Sequence, residues 1–171
     1  MLQSNTILLR APEPHDVDFL YQLENDVKLW HITQTFRPFS RFEMEQYVLM
    51  AEKDPYSAHQ VRFMIGLSSG ETVGTVDLFE IDPHNKRAGV GIVIVEDYRK
   101  KGYAFSALKL IIKYAFEQLD LHQLFCNIEV DNQESLKLFK KLNFEISGIK
   151  KDWNRIENGW QNEYLLQLIK N

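Results

Sequence analysis

The stretch Val93-Ile94-Val95-Glu96-Asp97-Tyr98-Arg99-Lys100-Lys101-Gly102-Tyr103-Ala104 decides the fold. A hydrophobic strand runs into a short basic turn, and Gly-x-Ala then opens a helix. The first amides of a helix have no intrahelical acceptors, and the aligned peptide dipoles put partial positive charge at that end. Such a terminus takes an anion. Gly102 lets the backbone approach a ligand closely and Ala104 keeps the approach open, while Arg99, Lys100 and Lys101 add charge suited to a pyrophosphate. The stretch is not a P-loop, because no Gly-Lys-Ser/Thr follows. It also lacks the three spaced glycines of a dinucleotide fingerprint. A solvated surface turn would carry the same tripeptide and glycine, so the flanking elements have to discriminate.

Downstream, Gly102 to about Leu119 reads as a long helix with Ala104, Ala107, Leu108, Ile111 and Ala115 on one face, small enough to lie close to a sheet. Leu124 to Val130 reads as a strand, Asn132 to Leu142 as a helix, and Phe144 to Ile149 and Glu163 to Ile169 as closing strands. Upstream, Val61 to Leu67, Thr72 to Ile81 and Ala88 to Val95 read as strands joined by Ser68-Ser69-Gly70-Glu71 and Asp82-Pro83-His84-Asn85. Connections this short imply an antiparallel meander. Near the amino terminus, Asn5 to Arg10 reads as a strand, Asp16 as the cap of a helix to about Glu24, and Ser40 with Glu43 as a capping box before a second helix. The order is β-α-α-β-β-β-α-β-α-β-β, with a right-handed β-α-β crossover from Val90 to Val130. The expectation is an α/β (α+β) chain with a mixed, mostly antiparallel sheet of about seven strands flanked by about four helices. No repeat, low-complexity tract or linker divides it, so residues 1–171 read as a single domain.

Composition sets the outer limits. A chain of 171 residues, 44% hydrophobic and 26% charged, can bury a sizeable core and is not disordered over any long stretch. A net charge of −4 without a broad basic face argues against nucleic acid as a partner. One cysteine, Cys126, excludes an internal disulfide and a Cys-rich zinc site, so no metal is expected. The first residues lack a charged segment leading into an apolar run, and no stretch approaches the roughly 20 apolar residues of a membrane span. A cytoplasmic protein with no membrane partner is expected.

Arg99-x-x-Gly102-x-Ala104 after a strand resembles the acetyl-CoA signature Gln/Arg-x-x-Gly-x-Gly/Ala of the GNAT superfamily of N-acetyltransferases. Asn132-x-x-Ser135-x-x-Leu138-Phe139-x-Lys141-Leu142-x-Phe144 resembles the family's Asn-x-x-Ser/Ala…Tyr-x-Lys-x-Gly-Phe segment, in the expected β-α-β-α order. Leu9-Arg10, Asp16 and Leu20 to Asn25 are similar to the RimJ/RimL-type branch, and Lys86 to Phe144 to the spermidine N-acetyltransferases. The resemblance implies the GNAT fold and acetyl-CoA as co-substrate. It also implies roles residue by residue. Ile92, Val93 and Ile94 would pair their backbone with the pantetheine arm, in a gap left by splayed parallel strands. An amide near Val93 or Ile94 would steady the oxyanion. Arg99, Lys100, Lys101, Gly102, Tyr103, Ala104 and Phe105 would hold the pyrophosphate. Asn132 would bond the pantetheine, or simply cap its helix, and Phe139 would line the cofactor.

Two positions depart from that pattern. Phe139 stands where many relatives place a tyrosine that protonates the departing thiolate, and phenylalanine has no O–H. A thiol pKa of about 8.5 makes the thiolate a fair leaving group without that acid, whereas an alkyl amine of pKa about 10.4 arrives protonated. Asn143 replaces the usual glycine before Phe144 and tolerates a left-handed backbone. The catalytic residues are therefore unknown at this level, with Glu80 and Glu129 as base candidates. Asp77 alternates with Glu80, so at most one of the two would face a cleft. Tyr98 and Tyr103 read as lining residues, His31 and His84 as incidental loop residues, and Cys126 as a buried strand residue.

Acceptor recognition is expected from Trp30, His31, Phe36 and Phe39 with Glu24, Asp26, Glu43 and Glu45, and from Trp153, Trp160 and Tyr164 at the other end. Aromatics with carboxylates suit an amine, though they serve equally as core and solvated rim. A primary amine is the implied acceptor, a small amine or polyamine being preferred to a protein amino terminus. The alternative is a catalytically impaired acetyl-CoA-binding sensor or interaction module, supported by Phe139. Relatives also suggest a homo-oligomer.

Overall fold

In the computed structural model, which describes residues 2–33, 35–51 and 54–170, the chain begins with β1 (Leu2–Gln3) and β2 (Ile7–Arg10). Four helices follow: α1 (Val17–Glu24), α2 (Trp30–Thr33), α3 (Arg41–Leu49) and α4 (Pro55–Ala58). The central meander is β3 (Gln60–Leu67), β4 (Thr72–Asp82) and β5 (Arg87–Ile94). Then come α5 (Tyr103–Glu117), β6 (Gln123–Glu129), α6 (Gln133–Lys141), β7 (Glu145–Ile156) and β8 (Gly159–Ile169). All eight strands form one sheet in the order β1-β2-β3-β4-β5-β6-β8-β7, antiparallel throughout except for β5 beside β6. The expected class holds. The elements beyond the expected seven strands and four helices are the two-residue β1 and the four-residue α2 and α4, all too short to show a period.

Local chemistry explains most boundaries. Ser40 Oγ accepts the Glu43 amide at 3.1 Å, and Glu43 Oε2 accepts the Ser40 amide at 2.7 Å, so the capping box forms. Asp16 corrects its expectation: its side chain makes no cap bond to α1. It accepts instead from Arg10 at 2.6 and 2.7 Å and from the Glu13 amide at 2.8 Å. Asp82 closes the β4–β5 turn by accepting the Asn85 amide at 2.8 Å. The last hairpin is longer than expected and turns at Glu157-Asn158, between Ile156 and Gly159. Bulges at Ile146/Gly148 and Lys150/Asn154 erase the alternation that would have revealed it.

Register sorts the sheet into two faces. Arg62 pairs with Asp77 and Met64 with Thr75, while Asp77 lies opposite Gly91 and Thr75 opposite Val93. These residues share one face, where Met64 packs with Val17 and Leu20 of α1 and Met44 and Val48 of α3. The opposite face carries Ile65, Val76, Leu78 and Val90, packed with Ala107, Leu108, Ile111 and Ala115 of α5. Leu136 and Phe139 of α6 join that same cluster, next to Cys126 and Ile128.

Candidate active site

β5 and β6 pair only at Arg87, Ala88 and Gly89, and the rest of β5 has no strand partner on that side. The separation begins where the Phe79 ring covers Gly89, a Cβ on which would lie 2.3 Å from that ring. Phe79 meets Phe125 of β6 edge-on, with centroids 5.9 Å apart. Along β5 the backbone alternates. Val95 donates to Val73 on β4 at 3.0 Å, and the Val93 carbonyl also points toward β4, 2.1 Å from where a Cβ on Gly74 would stand. Ile92 and Ile94, rather than Val93, therefore turn their backbone groups into the gap. The Ile94 carbonyl accepts Arg99 Nε at 3.0 Å.

A cavity of about 410 Å³ occupies this gap and joins the two faces of the sheet. Asn132, Ser135 and Phe139 line it from the α5/α6 side, and Leu23, Glu24 and His31 from the α1/α2 side. Gly91, Ile92 and Val93 line it from β5, with Cys126, Asn127, Ile128 and Glu129 from β6.

At the carboxyl end of β5, Gly102 has φ +83° and caps α5. Nothing stands within 4 Å of where its Cβ would be, so its backbone angle, not crowding, requires glycine. The first α5 amide to find a carbonyl is that of Ser106, on Gly102 at 3.1 Å, which leaves the amides of Tyr103, Ala104 and Phe105 as donors at the helix mouth. Lys100 pairs loosely with Glu134 at 3.4 Å, and Lys101 lies over the Tyr98 ring at 4.9 Å. Lys109 and Lys141 flank the Phe105 ring at 5.9 and 4.8 Å. The turn can take an anion by backbone and charge together. Asn132 Oδ1 accepts the Ser135 amide at 3.1 Å, so it caps α6 while lining the cavity.

Across the cavity stand five carboxylates and one guanidinium, Arg62. Arg62 Nη1 reaches Glu24 at 2.5 Å and its Nε reaches Asp77 at 2.5 Å. Burial alone would lower the Arg62 pKa, but Asp77, Tyr47 and Glu24 raise it above its ordinary value. Burial pushes the Asp77 carboxyl up, partly offset by Arg62. On the far wall Glu129 and Glu163, register partners on β6 and β8, both accept from Asn154 Nδ2 at 3.2 Å. Glu163 is also paired with Lys150 at 3.0 Å. Glu129 has no lysine or arginine partner among the described residues; burial raises its pKa, and His31 pulls it part of the way back. Glu80 is exposed at the rim and lines the same cavity as Asp77, which corrects the expectation that only one would. The cause is the bulge between Phe79 and Asp82, where Glu80 takes φ +49° and leaves the alternation.

Phe139 is 4% exposed and meets Phe144 edge-on at 5.1 Å, so the wall here carries no phenol. Cys126 is buried and its thiol is pushed up by that burial, which holds it neutral. Among the aromatic residues expected around an acceptor, His31 alone lines the cavity with Phe79 and Phe139, and it sits in α2 rather than a loop. Trp153, Trp160 and Phe36 are exposed elsewhere, and Glu43 is held down at about 2 by Arg37 and the Ser40 amide. Sequence reading missed Arg62, Thr75, Asn154 and Glu163. The only available signal was a charged residue inside an otherwise apolar strand, Val61-Arg62-Phe63-Met64-Ile65. Among the described residues no cluster of histidine, cysteine or carboxylate could hold a metal, and no helix is long and apolar enough to cross a membrane.

The chain is similar in sequence and in fold to known proteins. The acetyltransferase (GNAT) domain family matches residues 6–145. The chain is 28% identical over 153 residues to spermidine N(1)-acetyltransferase of Escherichia coli K12, covering 86% of this chain and 77% of that protein. It is 28% identical over 174 residues to the uncharacterized N-acetyltransferase p20 of Bacillus licheniformis, covering 99% and 96%. Spermidine N-acetyltransferase from Vibrio cholerae, solved with CoA and spermine, has the same fold at a TM-score of 0.87 and 22% identity, covering 97% of this chain and 96% of that one.

Proposed function

The chain belongs to the acetyltransferase (GNAT) family and is an acetyl-CoA-dependent N-acetyltransferase, and we propose that the amine it acetylates is a small polyamine rather than a protein amino terminus. One observation carries this reading: the cavity between β5 and β6 is lined by Glu24, Asp77, Glu80, Glu129 and Glu163 against a single guanidinium. With Arg62 paired to Glu24 and Asp77 and Lys150 to Glu163, the wall keeps a net negative charge, which concentrates cations, and each further ammonium on an acceptor adds to that attraction. The relatives agree in kind, since the matched Escherichia coli enzyme is a spermidine acetyltransferase and the Vibrio cholerae structure holds spermine. We extend the reading to the RimJ/RimL-type branch, to one domain over residues 1–171, to cytoplasmic residence and to assembly into a homo-oligomer. A dodecameric form of the Vibrio cholerae enzyme supports the last of these.

In this reading the two substrates enter from opposite faces of the sheet. Ile92 and Ile94 offer backbone groups to the pantetheine arm, while the Val93 side chain lies on the opposite, acceptor-side face with Thr75. Asn132 and Phe139 border the arm. The α5 amides of Tyr103, Ala104 and Phe105, with Gly102, Arg99, Lys100 and Lys101 in the turn before them, receive the pyrophosphate. The acceptor comes past His31, and Glu129 takes the proton its ammonium must lose, directly or through water. A carboxyl raised by burial is better matched to that task than an exposed one.

The test is thiol release from acetyl-CoA against polyamines, monoamines, amino acids and peptides. The expected result is saturable release with the highest kcat/KM for a polyamine, and loss of the acidic limb of the pH profile in Glu129→Gln. Higher kcat/KM for peptide amino termini would overturn the acceptor. Tight acetyl-CoA binding without release from any amine would identify a binding module instead.

A further inference from the structure

Arg62 is tied to more than its two carboxylates. Its side chain is 17% exposed, those of Glu24 and Asp77 13% each, and the guanidinium lies 5.4 Å above the Tyr47 ring of α3. Nε and Nη2 donate to the two Asp77 oxygens at 2.5 and 3.4 Å, and Nη1 donates to Glu24 at 2.5 Å. Glu24 is the last residue of α1, and its main-chain carbonyl accepts Trp30 Nε1 at 3.0 Å. Trp30 opens α2, and the next residue, His31, lines the cavity within electrostatic reach of Glu129. One chain of bonds therefore runs from the sheet through Arg62, Glu24 and Trp30 to the histidine on the acceptor side.

We propose that Arg62 is a positioning residue for the acceptor: by gripping Glu24 against Asp77 it fixes the end of α1, and through Trp30 it sets where α2 and His31 stand in the cavity. Stability alone is a weak reason for the triad, because a buried ion network can often be replaced by apolar side chains without loss. Placement of a substrate wall is a different matter, since an error of about 1 Å can cost about a hundredfold in rate. The inference rests on acetyl transfer to an amine, but not on that amine being a polyamine.

The test uses the best amine found in the panel. In Arg62→Met, the acceptor KM should rise about tenfold or more, with the calorimetric Kd for acetyl-CoA within about twofold of wild type. Arg62→Lys should recover part of the loss. A structural role alone would weaken both substrates in parallel, and that result, or an unchanged acceptor KM, overturns the proposal. If Arg62→Met does not fold, Trp30→Phe removes the indole N–H and keeps the ring, and it should raise the acceptor KM in the same selective way; an unchanged KM there also overturns it. A peptide as best amine defeats the polyamine reading and leaves this measurement intact. Failure of every amine defeats both.

Discussion

Phe139 occupies the cavity wall with its ring edge against Phe144 and no proton to give. A phenol at this place would put an O–H toward the gap, where a positioned acid is worth about 10²–10⁴-fold when protonation of the leaving group limits the rate. The thiolate leaves well unaided, so an effect below that range is expected. Phe139→Tyr should raise kcat by about tenfold, measured with the best acceptor at saturation. An unchanged kcat would show that loss of the amine proton, or product release, sets the rate. Residue-level features were legible when their partners are near in sequence. The Ser40–Glu43 box and the Asn132 cap each close within three residues. The Arg62 contacts span 15 and 38 residues, and a lone charge in an apolar strand does not say which partners it reaches.

The working geometry comes from one element failing to pair with its neighbour. β5 keeps its β4 partner as far as Ile94 but leaves β6 after Gly89. Gly74 sets how closely β4 and β5 approach at the end that meets the anion turn. A Cβ there would lie 2.1 Å from the Val93 carbonyl and 3.1 Å from Ile94 Cα. Both are backbone, which cannot rotate away. Gly74→Ala should therefore cost about 3 kcal/mol or more in urea unfolding. By displacing Ile94, it should also weaken acetyl-CoA binding in calorimetry beyond what lost stability explains; retained affinity would mean that this end of β5 does not shape the cofactor gap. At this scale alternation and turn composition revealed the strands of the meander and the face of α5. They could not reveal the bulge that re-aims Glu80, because a bulge is the local loss of the period being read. The long β7–β8 hairpin was hidden for the same reason, although Asn158-Gly159 is a hairpin signal.

At the scale of the molecule, the cavity depends on α1 and α3 staying seated on one face while α5 and α6 hold the other. Asp16 is a fastening point for the first of these. It is 2% exposed, accepts both Arg10 nitrogens at 2.6 and 2.7 Å, and meets Thr72 of β4 at 3.4 Å. Burial pushes its carboxyl up, but Arg10 and the Glu13 amide outweigh that and hold it below the ordinary carboxylate range. A carboxyl depressed in the folded state stabilises the fold above its unfolded pKa of about 3.9 and ceases to do so as pH falls through the folded value. Asp16→Asn should therefore cost about 2 kcal/mol at pH 7, where it removes a charged, hydrogen-bonded partner from Arg10. The gap to wild type should narrow steadily as pH falls from about 4 toward the folded pKa. Urea unfolding across that range, followed by tryptophan fluorescence and by circular dichroism, reads both. A gap that stays constant with pH would mean that packing around residue 16, and not its charge, seats α1 on the sheet. Divergent transitions by the two probes would mean that the α1–α3 layer opens before the sheet does, and acceptor binding would then be lost under milder conditions than cofactor binding.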